Sequence, residues 1–160
     1  MGRITSTLEG LTMTGTRSLP SWLPFANRVV RGLTRLGLPL GTIHVLTVPG
    51  RRSGTPRPTP ISPLTVDGHR YVVAALPQGD WARNVRAAGR GELARGRRRT
   101  PVTCTEVDDP VVARRVLRAF PVEVPGGVPF LIRLGLVDRA DPDQFEAIAD
   151  RVAVFRLDKA

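Results

Sequence analysis

Apolar residues in the first half of the chain favour short strands joined by tight turns. A β-branched run over residues 43–48 predicts a strand that stops at the turn dipeptide Pro49-Gly50. A second extended segment to Val66 is predicted, because each proline at positions 56, 58 and 60 keeps the preceding residue out of the helical region. Asp67-Gly68 then predicts a hairpin turn before a strand from Tyr71 to Ala75.

The second half alternates strand and helix patterns. Strands are predicted at residues 91–95, 98–107 and 152–157, with Gly96 at the tip of the hairpin between the first two. Three helices are predicted, together with a helical or extended segment at 130–136. The helices are residues 81–88 with Asp80 as N-cap, a helix from Asp109-Pro110 that Pro121 ends before a loop at 121–130, and residues 142–150 capped by Asp141.

The N-terminal part is expected to differ from the rest. Residues 1–20 are polar and predict a mobile arm, whereas residues 21–37 place apolar side chains on one face of a helix. This helix is expected to pack on a single domain that spans residues 21–160. A peripheral contact with an anionic membrane is the alternative, because arginines lie off the apolar face.

About six strands in pairs, without long βαβ repeats, predict an α+β or mainly β fold. Its sheet is antiparallel or barrel-like, with short added helices. At 41% hydrophobic residues the chain is globular, and no apolar run approaches the ~20 residues of a membrane-spanning helix. A single cysteine, Cys104, excludes an internal disulfide. These features favour a cytoplasmic location.

Positive charge is the most unusual property of the composition. The formal net charge is +10 and only Lys159 is a lysine, so arginine dominates. Such a chain attracts polyanions, including an acidic cofactor. Aromatics are sparse at 5% and no nucleic-acid-binding signature is present, so a nucleic-acid partner is not expected.

Common catalytic motifs are missing. His44 and His69 have no metal-ligand spacing to cysteine or carboxylate, so no metal is expected. Walker, dinucleotide and nucleophile-elbow motifs are also lacking. An enzyme with this sequence would therefore rely on a bound cofactor.

The turn after the first strand concentrates groups that bind anions. Arg51, Arg52, Ser53 and Arg57 lie beside two glycines, and arginine forks and close backbone amides both suit a phosphate. A solvated basic turn explains the same residues equally well, so the residues alone leave both interpretations open.

Two blocks of sequence resemble the deazaflavin-dependent nitroreductase family. The first is Leu46-Thr47-Val48-Pro49-Gly50-Arg51-Arg52-Ser53-Gly54-Thr55-Pro56-Arg57-Pro58-Thr59-Pro60-Ile61. The second is the strand at 71–75 followed by Trp81-x-x-Asn84-Val85-x-Ala87. The resemblance implies a split β-barrel, like those of flavin reductases and pyridoxamine oxidases, that binds coenzyme F-420. This deazaflavin carries a phosphate and a polyglutamate tail and is strongly anionic.

The resemblance also implies roles for residues at this cofactor. Arg51, Arg52, Ser53 and Arg57 would hold the phosphate and tail. The deazaflavin ring would be lined by Thr59, Pro60 and Ile61, with backbone contacts from Ala74 and Ala75, while Trp81 and Asn84 would close the pocket.

The implied reaction is hydride transfer from reduced coenzyme F-420 to a quinone, nitro or unsaturated small-molecule acceptor. Ser62 stands where some relatives have a tyrosine, which makes it a candidate substrate-side residue, and the loop 76–80 is short. The alternative is a non-enzymatic barrel that binds a lipid-like ligand or another cofactor, FMN or haem. Family analogy also favours a homodimer.

Overall fold

The computed structural model describes residues 43–160 and, before them, only Arg28, which is helical and exposed. The predicted arm at 1–20 lies outside the described residues, and so does the predicted helix at 21–37 apart from Arg28. The extent of the domain toward the N-terminus therefore stays a prediction.

Within residues 43–160, seven strands form one antiparallel sheet in the order β2-β1-β5-β6-β7-β4-β3. The antiparallel sheet predicted from the turn signals is confirmed, with one strand more than expected. The extra strand arises because the extended segment after the arginine turn (residues 50–55) breaks at residues 62–63. The strands are β1 His44–Pro49, β2 Pro56–Ile61, β3 Leu64–Val66, β4 His69–Ala74, β5 Arg90–Arg95, β6 Arg98–Glu106 and β7 Ala153–Lys159.

Turn chemistry sets the two predicted hairpins. Asp67 and Gly68 have φ angles of 51° and 77°, the pair of positive values that a two-residue type I′ turn requires. Gly96 has φ 58° at the tip between β5 and β6. Both hairpin predictions are confirmed.

Proline shapes the outer edge of β2. Pro56, Pro58 and Pro60 alternate along this strand and lie opposite residues 49, 47 and 45 of β1. Since successive backbone groups of a strand alternate in direction, the N–H groups of Arg57 and Thr59 serve the ladder with β1. The outer edge therefore lacks N–H donors at three positions, which disfavours pairing with a further strand.

Four α-helices and one 3₁₀ turn are described, and several predicted boundaries change. They are α1 Asp80–Ala88, α2 Pro110–Glu123, the 3₁₀ turn Pro125–Gly127, α3 Val128–Arg133 and α4 Pro142–Ala147. Asp109 and Asp141 cap α2 and α4 by accepting backbone N–H groups two residues on. The last helix ends three residues earlier than predicted.

Two helix predictions are wrong for identifiable reasons. Gly79 rather than Asp80 is the N-cap of α1, and it has no side-chain capping bond. Pro121 lies inside α2 because it removes only its own N–H bond, and the Val124 N–H still bonds to the Phe120 carbonyl. Helix therefore extends into much of the predicted loop.

The sheet carries one apolar cluster on each face. The inner core joins α1 to the sheet and the outer core joins α2, α3 and α4 to it, so side chains of one strand alternate between them. In β4, Tyr71 and Val72 belong to the outer and inner core respectively. The inner core also holds Leu46, Val48, Ile61, Val85, Leu93, Val102, Cys104, Phe155 and Leu157.

The inner core tolerates no extra atoms beside β1. A Cβ placed on Gly91 would lie 2.7 Å from the Thr47 carbonyl oxygen and 2.9 Å from Val48 Cγ1. Such contacts are shorter than packed atoms allow, so glycine is required where β5 meets the strand that leads into the arginine turn.

Burial should make the single cysteine unreactive. Desolvation in the inner core raises the pKa of Cys104 from 9.0 to about 11. At pH 8 we expect native protein to react with a thiol reagent at least about tenfold more slowly than urea-unfolded protein, because the thiolate is the reactive form. The same shift predicts that this group's contribution to stability is complete below pH 9 and declines between pH 9.0 and about 11. Equal labelling rates in the two states would contradict this prediction.

Candidate anion and cofactor site

A closed hairpin loop, the arginine turn (residues 50–55), connects β1 to β2. The Gly50 N–H donates to the Thr55 carbonyl, and the Gly54 N–H donates to the Gly50 carbonyl, both at 2.8 Å. Gly54 has φ 70°, a conformation that suits glycine. Ser53 Oγ accepts the Thr55 N–H at 3.2 Å, so this hydroxyl helps to close the loop and can still donate its proton.

Arg51 fixes the turn to α1. Its backbone N–H lies 3.2 Å from Asn84 Oδ1, and its guanidinium Nη1 lies 2.9 Å from the same oxygen. Asn84 is only 6% exposed and is the one buried polar side chain among the described residues. Because both contacts of Arg51 converge on a single buried amide, the turn and the helix are held as one unit.

Asp80 completes the contacts of this arginine. Nη2 of Arg51 lies 3.0 Å from Asp80 Oδ1. The Arg51 side chain is 23% exposed, whereas that of Asp80 is 87% exposed. The arginine is thus embedded between helix and turn, and the carboxylate lies on its solvent side.

Several donors of the turn have no partner within the part of the chain that the structure describes. These are the backbone N–H groups of Arg52 and Ser53 and the exposed guanidiniums of Arg52 and Arg57. The amino end of α1 lies next to them through Asp80 and adds unpaired helix N–H groups, since Gly79 provides no side-chain cap. Amides and guanidiniums that lie together in one loop in this way can bind a phosphate group.

A second arginine stabilises the other side of α1. Arg86 donates from Nε and Nη2 to the two carboxylate oxygens of Glu106, at 2.6 and 2.8 Å, and from Nη1 to the Pro77 carbonyl. Its guanidinium also lies 5.6 Å from the ring centre of Phe155. It thereby connects β6, β7 and the loop before α1. The hydrogen bond with Glu106 raises the pKa of Arg86 and lowers the pKa of Glu106.

Trp81 has a packing role in this structure. Its ring lies 5.8 Å from that of Phe155, and the residue is half-buried against the inner core. Asn84 likewise points at Arg51. Of the two residues of the Trp-x-x-Asn block, Asn84 therefore holds the turn directly, and Trp81 packs α1 against the inner core.

The residues predicted to surround the ring are divided between two faces of the sheet. Thr59 is half-buried and shares a face of β2 with Ile61, which lies in the inner core, whereas Pro60 faces the opposite way. Ala74 and Ala75 belong to the inner and outer core. Only their backbones are suitable for the predicted cofactor contact.

Ser62 lies just after β2, about five residues beyond Arg57 and therefore at the other end of the strand. It is half-buried. The basic tip of the β5–β6 hairpin also lies toward that end, because Ala94 pairs with Val45 at the start of β1. The arginine turn and the hairpin tip are thus separate positive regions.

Sequence reasoning missed Arg86 and Asp80 as parts of the site. Asp80 lies just before the second family block and Arg86 at one of its unspecified positions, and the link from Arg86 to Glu106 joins residues 20 apart. Opposite charges at the two ends of α1 were the only available signal. No group of histidine, cysteine, aspartate and glutamate within the described residues could hold a metal ion.

Comparison with known proteins identifies the family. The family model for F420H(2)-dependent quinone reductases matches residues 26–126, which is more than half of the chain. The chain belongs to this family. It is therefore an oxidoreductase that uses reduced coenzyme F-420 and acts on a small-molecule acceptor. The suspected relationship, the cofactor and the enzyme class are confirmed. No curated protein matches the chain significantly.

Solved structures confirm the split-barrel fold. An F420-H2 dependent reductase, FDR-A, is 20% identical with a TM-score of 0.50, over 73% of this chain and 94% of that one. A candidate pyridoxamine 5'-phosphate oxidase of Listeria innocua is 10% identical with a TM-score of 0.50, over 84% and 93%. An Agrobacterium tumefaciens protein of unknown function is 16% identical with a TM-score of 0.51, over 89% and 57%.

Removing the amide that holds Arg51 should weaken the fold measurably. Asn84→Ala leaves two donors of Arg51 without their acceptor in a partly buried place, so we expect the unfolding free energy to fall by about 1–3 kcal/mol. Urea denaturation measures this change. Gln144→Ala is a matched control, because that side-chain amide also accepts a backbone N–H, from Asp138, but in an exposed setting.

Amide hydrogen exchange provides a local measurement for the same comparison. The Arg51 N–H should exchange faster in Asn84→Ala than in wild-type protein, and its exchange rate should be unchanged in Gln144→Ala. Equal stability losses in the two variants, without a change at Arg51, would refute the role given to Asn84.

Proposed function

We propose that the arginine turn and the amino end of α1 hold the phosphate and acidic tail of coenzyme F-420. The observation that supports this proposal is that several hydrogen-bond donors lie together in one short loop beside a helix end. Arg51 is fixed by Asn84, while Arg52, Arg57 and two turn amides have no protein partner among the described residues. A solvated basic turn would leave the same donors to water, but it gives no reason for Arg51 to be fixed to the buried Asn84, so we favour the anion site.

When bound, reduced coenzyme F-420 supplies a hydride. The chain's own task is then to bind and orient. Arg52 and Arg57 would neutralise the tail, and the Arg52 and Ser53 amides would contact the phosphate. Thr59, together with the backbones at 60–61 and 74–75, would border the ring in the direction of Ser62.

A quinone is the acceptor that we propose, because the family model is that of quinone reductases. Ser62 is half-buried and would present a hydroxyl to a carbonyl oxygen of the acceptor. A nitro compound or an unsaturated carbonyl presents a similar oxygen, so Ser62 alone does not discriminate among them. The non-enzymatic barrel, with FMN, haem or a lipid-like ligand, has no specific observation in its favour.

We further propose a homodimer. One structure with 20% identity and a TM-score of 0.50 is described as a domain-swapped dimer. The proline edge of β2 disfavours a dimer formed by adding strands there, so other surfaces would meet. Within the described residues no helix is long and apolar enough to cross a membrane. The cytoplasmic location and the membrane contact of helix 21–37 stay predictions.

Cofactor binding tests the proposed site. We expect wild-type protein to quench F-420 fluorescence, and Arg52→Ala or Arg57→Ala to raise Kd roughly tenfold each. One charge-assisted hydrogen bond to phosphate is worth about 1.5 kcal/mol or more. Neither arginine supports another described side chain, so the fold should remain intact. Turnover of reduced F-420 with a quinone then tests the acceptor.

Arg97→Ala is the matched control. It removes the same charge from the exposed hairpin tip, and we expect Kd to change less than about twofold. If Arg97→Ala weakens F-420 binding as much as Arg52→Ala does, then overall charge or the hairpin tip binds the tail. Absence of quenching by micromolar wild-type protein would reject the proposed site altogether.

A further inference from the structure

Asp80 is an unusual neighbour for an anion site. It is the first residue of α1, and its carboxylate lies 3.0 Å from Nη2 of Arg51 at the place where the turn, the helix and the unused amides meet. A carboxylate at this position satisfies the arginine and the helix end with a negative charge that the protein itself provides.

The three groups differ in how firmly they are held. Arg51 is 23% exposed and bonded twice to buried Asn84, so its position does not depend on Asp80. Asp80 is 87% exposed, and Arg51 is its only side-chain partner among the described residues. Rotation of the Asp80 side chain would therefore expose Nη2 to solvent without moving the turn.

The ion pair between Arg51 and Asp80 is weak because its carboxylate is exposed. Such a pair shifts an equilibrium by about fivefold at most, and salt screens it. A phosphate that also reaches Arg52, Arg57 and the turn amides gains several charge-assisted hydrogen bonds, so it can displace the carboxylate. A small anion that contacts Arg51 alone gains too little to do so.

We propose that Asp80 is an internal counter-ion of Arg51 that competes with the cofactor's phosphate and so sets the site's selectivity for multidentate anions. The proposal rests on the proposed function, because it takes the arginine turn to be the phosphate site. Removing the Asp80 charge should therefore strengthen cofactor binding, whereas removing any other polar group around Arg51 should weaken it.

Asp80→Asn tests the proposal, because it keeps the shape of the side chain and removes the charge. We expect Kd for F-420, measured by fluorescence, to fall about three- to fivefold, and the affinity for inorganic pyrophosphate, measured by calorimetry, to rise by a similar factor. Asp138→Asn is the control, since it removes the same charge from an exposed residue near the outer core and should leave both affinities within about twofold.

The contrary outcomes are separable. If wild-type protein binds F-420 but Asp80→Asn binds it equally or more weakly, Asp80 orients Arg51 and the counter-ion proposal is wrong. If Asp80→Asn and Asp138→Asn tighten binding alike, only net charge acts and the proposal is again wrong. If wild-type protein does not bind F-420, the proposed function fails, and unchanged pyrophosphate binding in Asp80→Asn rejects the counter-ion independently.

Discussion

The contact between Arg51 and Asn84 is the interaction on which the organisation of the site depends. The buried amide oxygen of Asn84 accepts hydrogen bonds from both the backbone N–H and the guanidinium of Arg51, and the turn between β1 and β2 is thereby joined to α1. Without that contact the turn would be a basic loop whose arginines solvate independently. With it, the Arg51 guanidinium, the turn amides and the helix end keep a fixed relation, which is the kind of preorganisation that phosphate recognition uses.

The rest of the fold keeps α1 where this contact needs it. The helix packs on β1, β5 and β6 through the inner core, and Gly91 allows β5 to approach the strand that enters the turn. Arg86 holds the opposite side of the helix to Glu106 and Pro77. The outer core covers the other face of the sheet with α2, α3 and α4, so the site lies at one end of a sheet that is packed on both faces.

Much of this arrangement follows from local sequence. Asp67-Gly68 can hardly adopt anything but a hairpin turn, and Gly96 sets the tip of another, so the antiparallel sheet was predictable. The arginine turn was recognisable as a candidate anion site because its arginines, its hydroxyl group and its glycines lie within a few consecutive residues. The family blocks then indicated the cofactor and the split barrel.

What could not be predicted depends on contacts distant in sequence. In the sequence, Asn84 cannot be distinguished from an ordinary polar surface residue of α1. Only the fold brings it into contact with Arg51, which lies 33 residues earlier in the chain. The same is true of Arg86 and Glu106. Pro121 is an exception to the local rule that a proline ends a helix. The helix continues past this buried residue, so tertiary packing overrides the rule. Alternation along β2 also separates Pro60 from Thr59 and Ile61, which the sequence block lists side by side.

A crystal structure of the protein with bound coenzyme F-420 would show directly where the cofactor phosphate lies. We expect the phosphate to contact the arginine turn, with Arg51 still bonded to Asn84 and the Asp80 carboxylate turned away from Nη2. A phosphate bound at the β5–β6 hairpin tip, with the Arg51–Asp80 pair unchanged, would contradict this expectation.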